Sequence, residues 1–406
     1  MNTSEKINYN NSKRQKYLGD RGFVVFIAFL GAFVPLSTDL YLPALPSMVE
    51  SFHTNIALLN LTLIFFFIFY AGGMLFWGPL SDKYGRRPIL LSGLIIYTLA
   101  SILCANSAAV YQLIVFRILQ AIGSGAAVSV SVAMIKDSYD GRKRVSILAL
   151  VQSMAMLAPV IAPVLGALVL KITSWHGVFW ILSFVGIIAI VGGVFMQETI
   201  AKRNNGNIFQ TVGRIGVVIK NPRFTVLLII FSIQMLPMLA YISMSSYIYV
   251  DGFGLSEQAY SYFYAFNAVF SVIAPLFYMR LSKHYKNNPI ITTCFGIIVV
   301  SGILIITIGK FSPWLFALSI LPATLAGNLI RPPSTNLILE QQREDTGTAA
   351  SLMSFSYTFM GSIGMMLISL NFGNRIFVMG SMYVVIALIS LVLWILVQKK
   401  SFINNV

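Results

Sequence analysis

Acidic side chains are scarce in this chain: 13 Asp and Glu stand against 28 Lys and Arg in 406 residues, and charged residues of both signs make up only 10%. With 57% apolar residues there is too little polar surface to cover a soluble globule of this size, which excludes an ordinary cytosolic domain. Cysteine and histidine are nearly absent too. Cys104 and Cys294 fall in separate apolar runs without a CxxC, and His53, His176 and His284 are scattered over different loops, so neither a disulfide framework nor a metal site is expected. A Walker loop, an HExxH, a GxSxG and a Rossmann fingerprint are all missing. The chain is therefore not expected to be an enzyme or to carry a cofactor, and any uphill work must draw on an ion gradient.

What is abundant is apolar length. Twelve runs, at roughly 23–42, 55–79, 88–106, 110–135, 145–171, 177–196, 224–250, 257–279, 289–309, 312–339, 347–371 and 376–397, can each cross a hydrocarbon core of ~30 Å as a helix. No run alternates for long in the manner of a membrane β-barrel strand. The expected class is an all-α membrane protein. Residues 1–22 are polar, Asn- and Lys-rich, and are expected to form a disordered cytoplasmic tail. Pro43 and Pro46 follow the first run where a signal peptide would carry small residues, so that run reads as a retained span.

Orientation follows from the basic residues. Loops on one side carry 23 of them, whereas the other side has Lys171, Lys310 and Arg375, and Arg117 and Arg331 lie within spans. The positive-inside rule then puts both termini and the central loop in the cytoplasm. The net charge of +15 is explained as topology, and nucleic acid is not expected as a partner.

A faint internal duplication is present. LSDKYGRRPI (80–89) and LSKHYKNNPI (281–290) agree at five of ten positions, at an offset of 201. Many transporters are built from such repeats, with the substrate held between them. The expected organisation is a six-helix bundle over 23–196, a cytoplasmic linker over 197–223, a second six-helix bundle over 224–397 and a cytoplasmic tail over 398–406, around a central cavity.

Asp39 is the one carboxylate deep within an apolar run, where an ionised acid costs several kcal/mol. A group so costly is expected to gain and lose a proton. Asp39 lies sixteen residues beyond Phe23, ~24 Å from the cytoplasmic edge. Arg117 is seven residues into a span entered from outside, so ~20 Å from the inner edge of a ~30 Å core. The two charges can share one level. A fixed structural ion pair is the alternative to a proton-exchanging one. Arg331, near the cytoplasmic end of its span and followed by Pro332 and Pro333, is expected to snorkel to the inner interface.

GPLSDKYGRRP (78–88) resembles the loop 2–3 signature of the major facilitator superfamily. LSTDLYLPALP (36–46), RILQ (117–120) with Gly123, APVIAPVLG (158–166) and SWHGVFW (174–180) together resemble the bicyclomycin-resistance (Bcr/CflA) family of drug/proton antiporters. The resemblance implies a major facilitator fold of twelve transmembrane helices in two halves. The implied activity is a monomeric, proton-coupled multidrug efflux antiporter of the bacterial cytoplasmic (inner) membrane, whose partners are small drugs, protons and the lipid bilayer. With one candidate carboxylate, small neutral or weakly charged drugs, bicyclomycin- or phenicol-like, are the preferred cargo. A proton-coupled symporter importing a small metabolite is the alternative.

The same resemblance assigns roles. Asp39 and Arg117 would face a common cavity and serve proton coupling, Arg117 favouring the ionised acid and burial the neutral one. Gly78, Asp82, Gly85, Arg86 and Arg87 would form the cytoplasmic gate, with Asp82 meeting the positive start of span 11 at Gly347, Thr348 and Ala349. Pro159, Pro163 and Gly166 would mark span 5 of an exporter, bent where two ladder hydrogen bonds are missing. Polar and soft residues within spans are candidate drug contacts: Asn60, Tyr70, Gln152, Met156, Gln234, Met238, Tyr241, Tyr264, Asn267 and Tyr357. Family members commonly have Gln, Tyr and Gln where this chain has Asn60, Phe66 and Met74, so substrate identity is not carried over.

Overall fold

Long runs of Leu, Ile, Val and Phe can satisfy their backbone in lipid only as helices, and the computed structural model, which describes residues 15–200, 215–342, 346–370 and 373–400, is helical throughout. Among the described residues twelve helices are long and apolar enough to span: α1 (Gly19–Ser51), α2 (Ile56–Tyr84), α3 (Arg86–Ala105), α4 (Val110–Ser138), α5 (Gly141–Ile172), α6 (Trp175–Phe195), α7 (Pro222–Gly252), α8 (Glu257–Leu281), α9 (Asn287–Thr307), α10 (Pro313–Glu340), α11 (Gly347–Ser369) and α12 (Arg375–Val397). Large apolar side chains such as Leu99, Phe184 and Leu396 are turned outward, as lipid-facing residues must be. The end of the bundle that carries most of the Lys and Arg is called the basic face below, and the opposite end the far face.

The expected tail and linker differ in part from what is seen. Helix α1 already begins at Gly19, and the Gln15 side chain accepts from the Gln197 backbone at 2.8 Å, so residues 15–22 are anchored. Glu198 is held by several hydrogen bonds, and helix resumes at 215. Residues 1–14, 201–214 and 401–406, the rest of those expected segments, lie outside the described residues.

Packing repeats between the halves. Helix α1 lies on α5, α2 on α4, α3 on α4 and α3 on α6, and the pairs α7 with α11, α8 with α10, α9 with α10 and α9 with α12 match them one for one. The halves meet through α2 against α11 and α5 against α8, contacts that a two-fold repeat interchanges. The weak sequence duplication is therefore a structural one.

Small residues set the closest approaches, as expected where lipid offers no hydrophobic drive between helices. A Cβ on Gly166 of α5 would lie 1.9 Å from the Leu40 carbonyl oxygen, and one on Gly364 of α11 would lie 2.0 Å from the Leu236 oxygen. These two glycines fill equivalent places in the repeat.

The core is continuous across the halves at one end only. Leu40 to Met48, Leu59 to Ile64, Leu113 and Phe179, all from the far-face portions of the first half, share one apolar cluster with the second half. Phe23 to Phe33, Leu90 to Tyr97, Val130 to Ile135 and Ala189, from the basic-face portions, form a separate cluster. The bundle is sealed at the far face and parted at the basic face.

Candidate functional site

Between the halves lies a cavity of about 210 Å³. Each surrounding helix presents one stripe at helical spacing: Gln152, Met156 and Pro159 from α5; Gln234, Met238 and Tyr241 from α7; Tyr264, Asn267 and Ser271 from α8; and Thr324, Asn328 and Arg331 from α10. Helix α1 contributes Asp39, the one carboxylate among the described lining residues.

Asp39 reaches this place because α1 is broken. Prolines at 35, 43 and 46 cannot donate to the carbonyls four residues earlier, and α1 divides into Gly19–Gly31, Phe33–Asp39, a 3₁₀ turn at Leu42–Ala44 and Leu45–Ser51. Asp39 is the last residue of the second piece. It is 3% exposed, and its Oδ1 accepts from Thr38 Oγ1 at 3.1 Å.

Arg117 is brought to the expected level but not to the expected partner. Its Nη1 donates to the Ser37 carbonyl at 2.9 Å and to Gln120 Oε1 at 2.6 Å, and Gln120 in turn donates to Ser101 Oγ at 2.7 Å. The guanidinium carbon lies 4.2 Å from the Phe66 ring centre and 4.8 Å from that of Tyr41, so aromatic faces, not an acid, hold the charge. The pairing expected from depth is thereby corrected: residues 37 and 39 stand about 200° apart around a helix, so Asp39 faces the cavity while Arg117 grips α1 from within the first half. Arg117 is a positioning residue for the break that carries Asp39.

A lysine has a compact ammonium in place of the planar guanidinium, so it cannot lie against the Phe66 and Tyr41 rings and also bring a donor to Ser37 and Gln120 as Arg117 Nη1 does. Arg117→Lys is expected to keep the fold and to lower transport turnover about ten- to hundredfold, the value of one or two charge-assisted hydrogen bonds. Equilibrium binding of substrate in detergent should change far less. Equal losses of binding and turnover would count against a positioning role.

The cavity collects Gln152, Met156, Gln234, Met238, Tyr241, Tyr264 and Asn267, as well as Pro159. Tyr241 and Tyr264 stack with rings 6.1 Å apart and 2° from parallel, forming a flat wall. Gln234 is partly engaged elsewhere, donating to Ser390 Oγ at 2.6 Å. Three expected contacts lie outside the cavity. Asn60 sits near the far-face start of α2 and donates to Ser369 Oγ of α11 at 2.8 Å, tying the halves where they are sealed. Tyr70 packs against the small cluster of Val34, Phe66 and Ala121 inside the first half. Tyr357 packs at the margin of the main core beside Arg331.

Arg331 does not snorkel. It lines the cavity, and its Nη2 lies 3.2 Å from Met235 Sδ and 3.9 Å from Met238 Sδ. The spacing of Thr324, Asn328 and Arg331 along α10 was the sequence signal for this stripe.

At the basic face, Gly78, Asp82 and Arg86 line a cleft of about 480 Å³ together with Asp137 and the start of α11 at Gly347 and Thr348. Asp82 and α11 are thus neighbours, but the acid is bound by Arg86 Nη1 at 2.6 Å rather than by the helix terminus. Arg86 also meets Asp137 at 2.8 Å and donates to Ser81 Oγ at 2.6 Å. Gly85 takes φ +106°, open to glycine, and a Cβ there would lie 2.6 Å from Glu198 Oε2. Arg87 donates to the Val194 carbonyl at 2.6 Å.

Glu198, within the expected linker and not among the expected gate residues, accepts from the Arg86 and Arg87 amides at 3.0 and 3.1 Å. Its carboxylate meets the positive start of α3 from the end of α6. Glu198→Ala is expected to lower stability by about 1–2 kcal/mol, read as an earlier thermal transition in detergent. Glu198→Gln, which keeps the acceptor and loses the charge, should fall in between. A transition unmoved by either would deny the cap its role.

Among the described residues no cluster of three or more His, Cys, Asp or Glu could hold a metal.

A sequence profile described as the Major Facilitator Superfamily matches residues 23–365. The chain is 26% identical over 354 residues to an uncharacterized MFS-type transporter, YdgK, of Bacillus subtilis, covering 85% of this chain and 87% of that one. It is 25% identical over 351 residues to a bicyclomycin resistance protein homolog of Haemophilus influenzae (84% and 87%), and 28% identical over 273 residues to a chloramphenicol resistance protein of Pseudomonas aeruginosa (66% and 64%). Among solved structures, the nucleoside transporter NupG superposes with a TM-score of 0.73 at 12% identity, over 93% of this chain and 99% of that one. A D-xylose-proton symporter superposes with a TM-score of 0.71 at 14% identity, over 90% and 96%.

Proposed function

Because the chain belongs to the major facilitator superfamily, a family of membrane transporters, and is similar to proteins named for bicyclomycin and chloramphenicol resistance, we propose that it exports small, mostly neutral or weakly charged drugs across the cytoplasmic membrane in exchange for protons. The observation that carries this reading is a buried carboxylate, Asp39, opening onto a cavity between two pseudo-symmetric halves.

The basic face is taken as cytoplasmic by the positive-inside rule, so the parted end gives drug access from inside. Drug enters while Asp39 is ionised. Rocking of the halves closes the Arg86 region and opens the far face, where parting α2 from α11 requires the Asn60 to Ser369 bond to break. Protonation of Asp39 from outside then accompanies release. A unit of pH contributes ~1.4 kcal/mol and 100 mV about 2.3 kcal/mol per charge, so one proton exchanged for a neutral drug can sustain a gradient of a few hundredfold.

The test is transport by the purified protein in proteoliposomes. An imposed proton gradient should drive chloramphenicol opposite to the proton, and dissipating the gradient with an ionophore should stop it. Drug movement in the same direction as the proton would favour import, and movement indifferent to the ionophore would remove proton coupling.

A further inference from the structure

The efflux reading leaves open what kind of molecule the cavity selects, and the polar atoms of its wall are divided unevenly. The first half contributes the Asp39 carboxylate, an acceptor whose one side-chain partner among the described residues is its neighbour Thr38, and the Gln152 amide, which can both donate and accept. The second half contributes donors. Arg331 faces the cavity with its Nη2 against two methionine sulfurs, which are weak acceptors, and its buried Nε has no hydrogen-bond partner. Asn267 uses its Oδ1 to accept from Thr324 Oγ1 at 2.9 Å, which leaves its buried Nδ2 without a partner. Neither Asp39 nor Arg331 has an ion-pair partner within 4 Å among the described residues.

Buried donors of this kind are rarely left unmet in a folded protein, and each calls for an explanation. Structural tuning of α10 is a poor one, because a Leu or Met at 331 would pack against Met235 and Met238 without desolvating a charge. We propose that Arg331 and Asn267 form an acceptor-binding subsite, and that the preferred substrate is a dipolar or zwitterionic molecule bridging the halves. Its donor or cationic end sits on Asp39, its acceptor or anionic end on Arg331 and Asn267, and its flat apolar body against Tyr241 and Tyr264. This deepens the efflux reading and rests on it. It also accounts for exchange: a donor end on Asp39 stabilises the ionised acid and so competes with the proton. A lone anion would instead favour the protonated acid and travel with it.

The test is equilibrium dialysis of the purified, detergent-solubilised chain with two probes. Chloramphenicol has hydroxyl and amide donors and a nitro acceptor; tetraphenylphosphonium is an apolar cation without either. Arg331→Met is expected to weaken chloramphenicol binding about ten- to hundredfold, the worth of a hydrogen bond to a charged group, and to leave tetraphenylphosphonium binding unchanged or tighter. Arg331→Lys should retain most of the chloramphenicol affinity, and Asn267→Leu should weaken it by a smaller factor than Arg331→Met. The proposal is overturned if Arg331→Met binds chloramphenicol as wild type does, or loses both probes alike while melting at the wild-type temperature. It is equally overturned if wild type binds tetraphenylphosphonium but not chloramphenicol. Should Arg331→Met not fold, Asn267→Leu decides, and unchanged chloramphenicol affinity there sinks the subsite. Dialysis needs no proton gradient, so failure of the efflux reading would appear separately, as wild-type binding without proton-driven transport.

Discussion

Asp39→Asn is expected to leave a protein that binds drug more weakly, still exchanges it downhill and no longer concentrates it. The amide has nearly the shape of the protonated acid and cannot ionise, so it fixes one end of the proposed cycle. Asp39 is 3% exposed at the end of the Phe33–Asp39 helix, and no second carboxylate among the described cavity residues can take over. Uphill transport in proteoliposomes should fall by two orders of magnitude or more, since loss of an essential proton carrier removes the coupling and not a fraction of it. Drug counterflow without a pH gradient should persist. Asp39→Glu keeps the chemistry and moves the carboxyl by one methylene, so partial coupling is the expected result. An Asp39→Asn protein that accumulates drug against a gradient would take the coupling role from this residue.

Gly166→Ala is expected to abolish transport, and Gly166→Val to prevent recovery of folded protein from the membrane. The added Cβ would lie 1.9 Å from the Leu40 carbonyl oxygen and 2.9 Å from its carbon. Both obstacles are backbone, so neither can rotate away, and α1 and α5 must separate. That separation falls one residue from Asp39. Overpacking of this kind costs about 1–3 kcal/mol even where neighbouring side chains yield, and more is expected where they cannot. Gly296 is the control, because a Cβ there meets nothing within 4 Å, and Gly296→Ala should be neutral or stabilising by up to about 1 kcal/mol. Size-exclusion profiles and proteoliposome transport separate the outcomes. A Gly166→Ala protein with wild-type transport would show that the two helices do not approach so closely.

The gate residues and the cavity were legible to different degrees, for a physical reason. Asp82, Gly85 and Arg86 lie where α2 ends and α3 begins, and the pair of Asp82 with Arg86 spans only four residues of sequence. Asp137 and Glu198, which complete that cluster, come from the ends of α4 and α6, and no local pattern links them to it. Among cavity residues, depth along a helix was readable at 1.5 Å per residue, but the direction of each side chain around the helix was not. Asn60, Tyr70 and Tyr357 are therefore indistinguishable by sequence from residues that face the cavity, and nothing local shows that Arg331 turns into it.

Sequence alone determined that the chain spans a membrane twelve times, that its halves repeat, and that one acid lies deep among apolar residues, because hydropathy, length and spacing are properties of the chain itself. Tertiary structure decided which charges meet. Arg117 and Asp39 share a level yet are turned to opposite sides of α1, so the guanidinium binds a carbonyl and aromatic rings while the carboxylate opens onto the cavity with Arg331. Rotation about a helix axis is fixed by how neighbouring helices pack, through contacts such as that of Gly166 with Leu40, and twelve interdependent rotations cannot be read from any one of them.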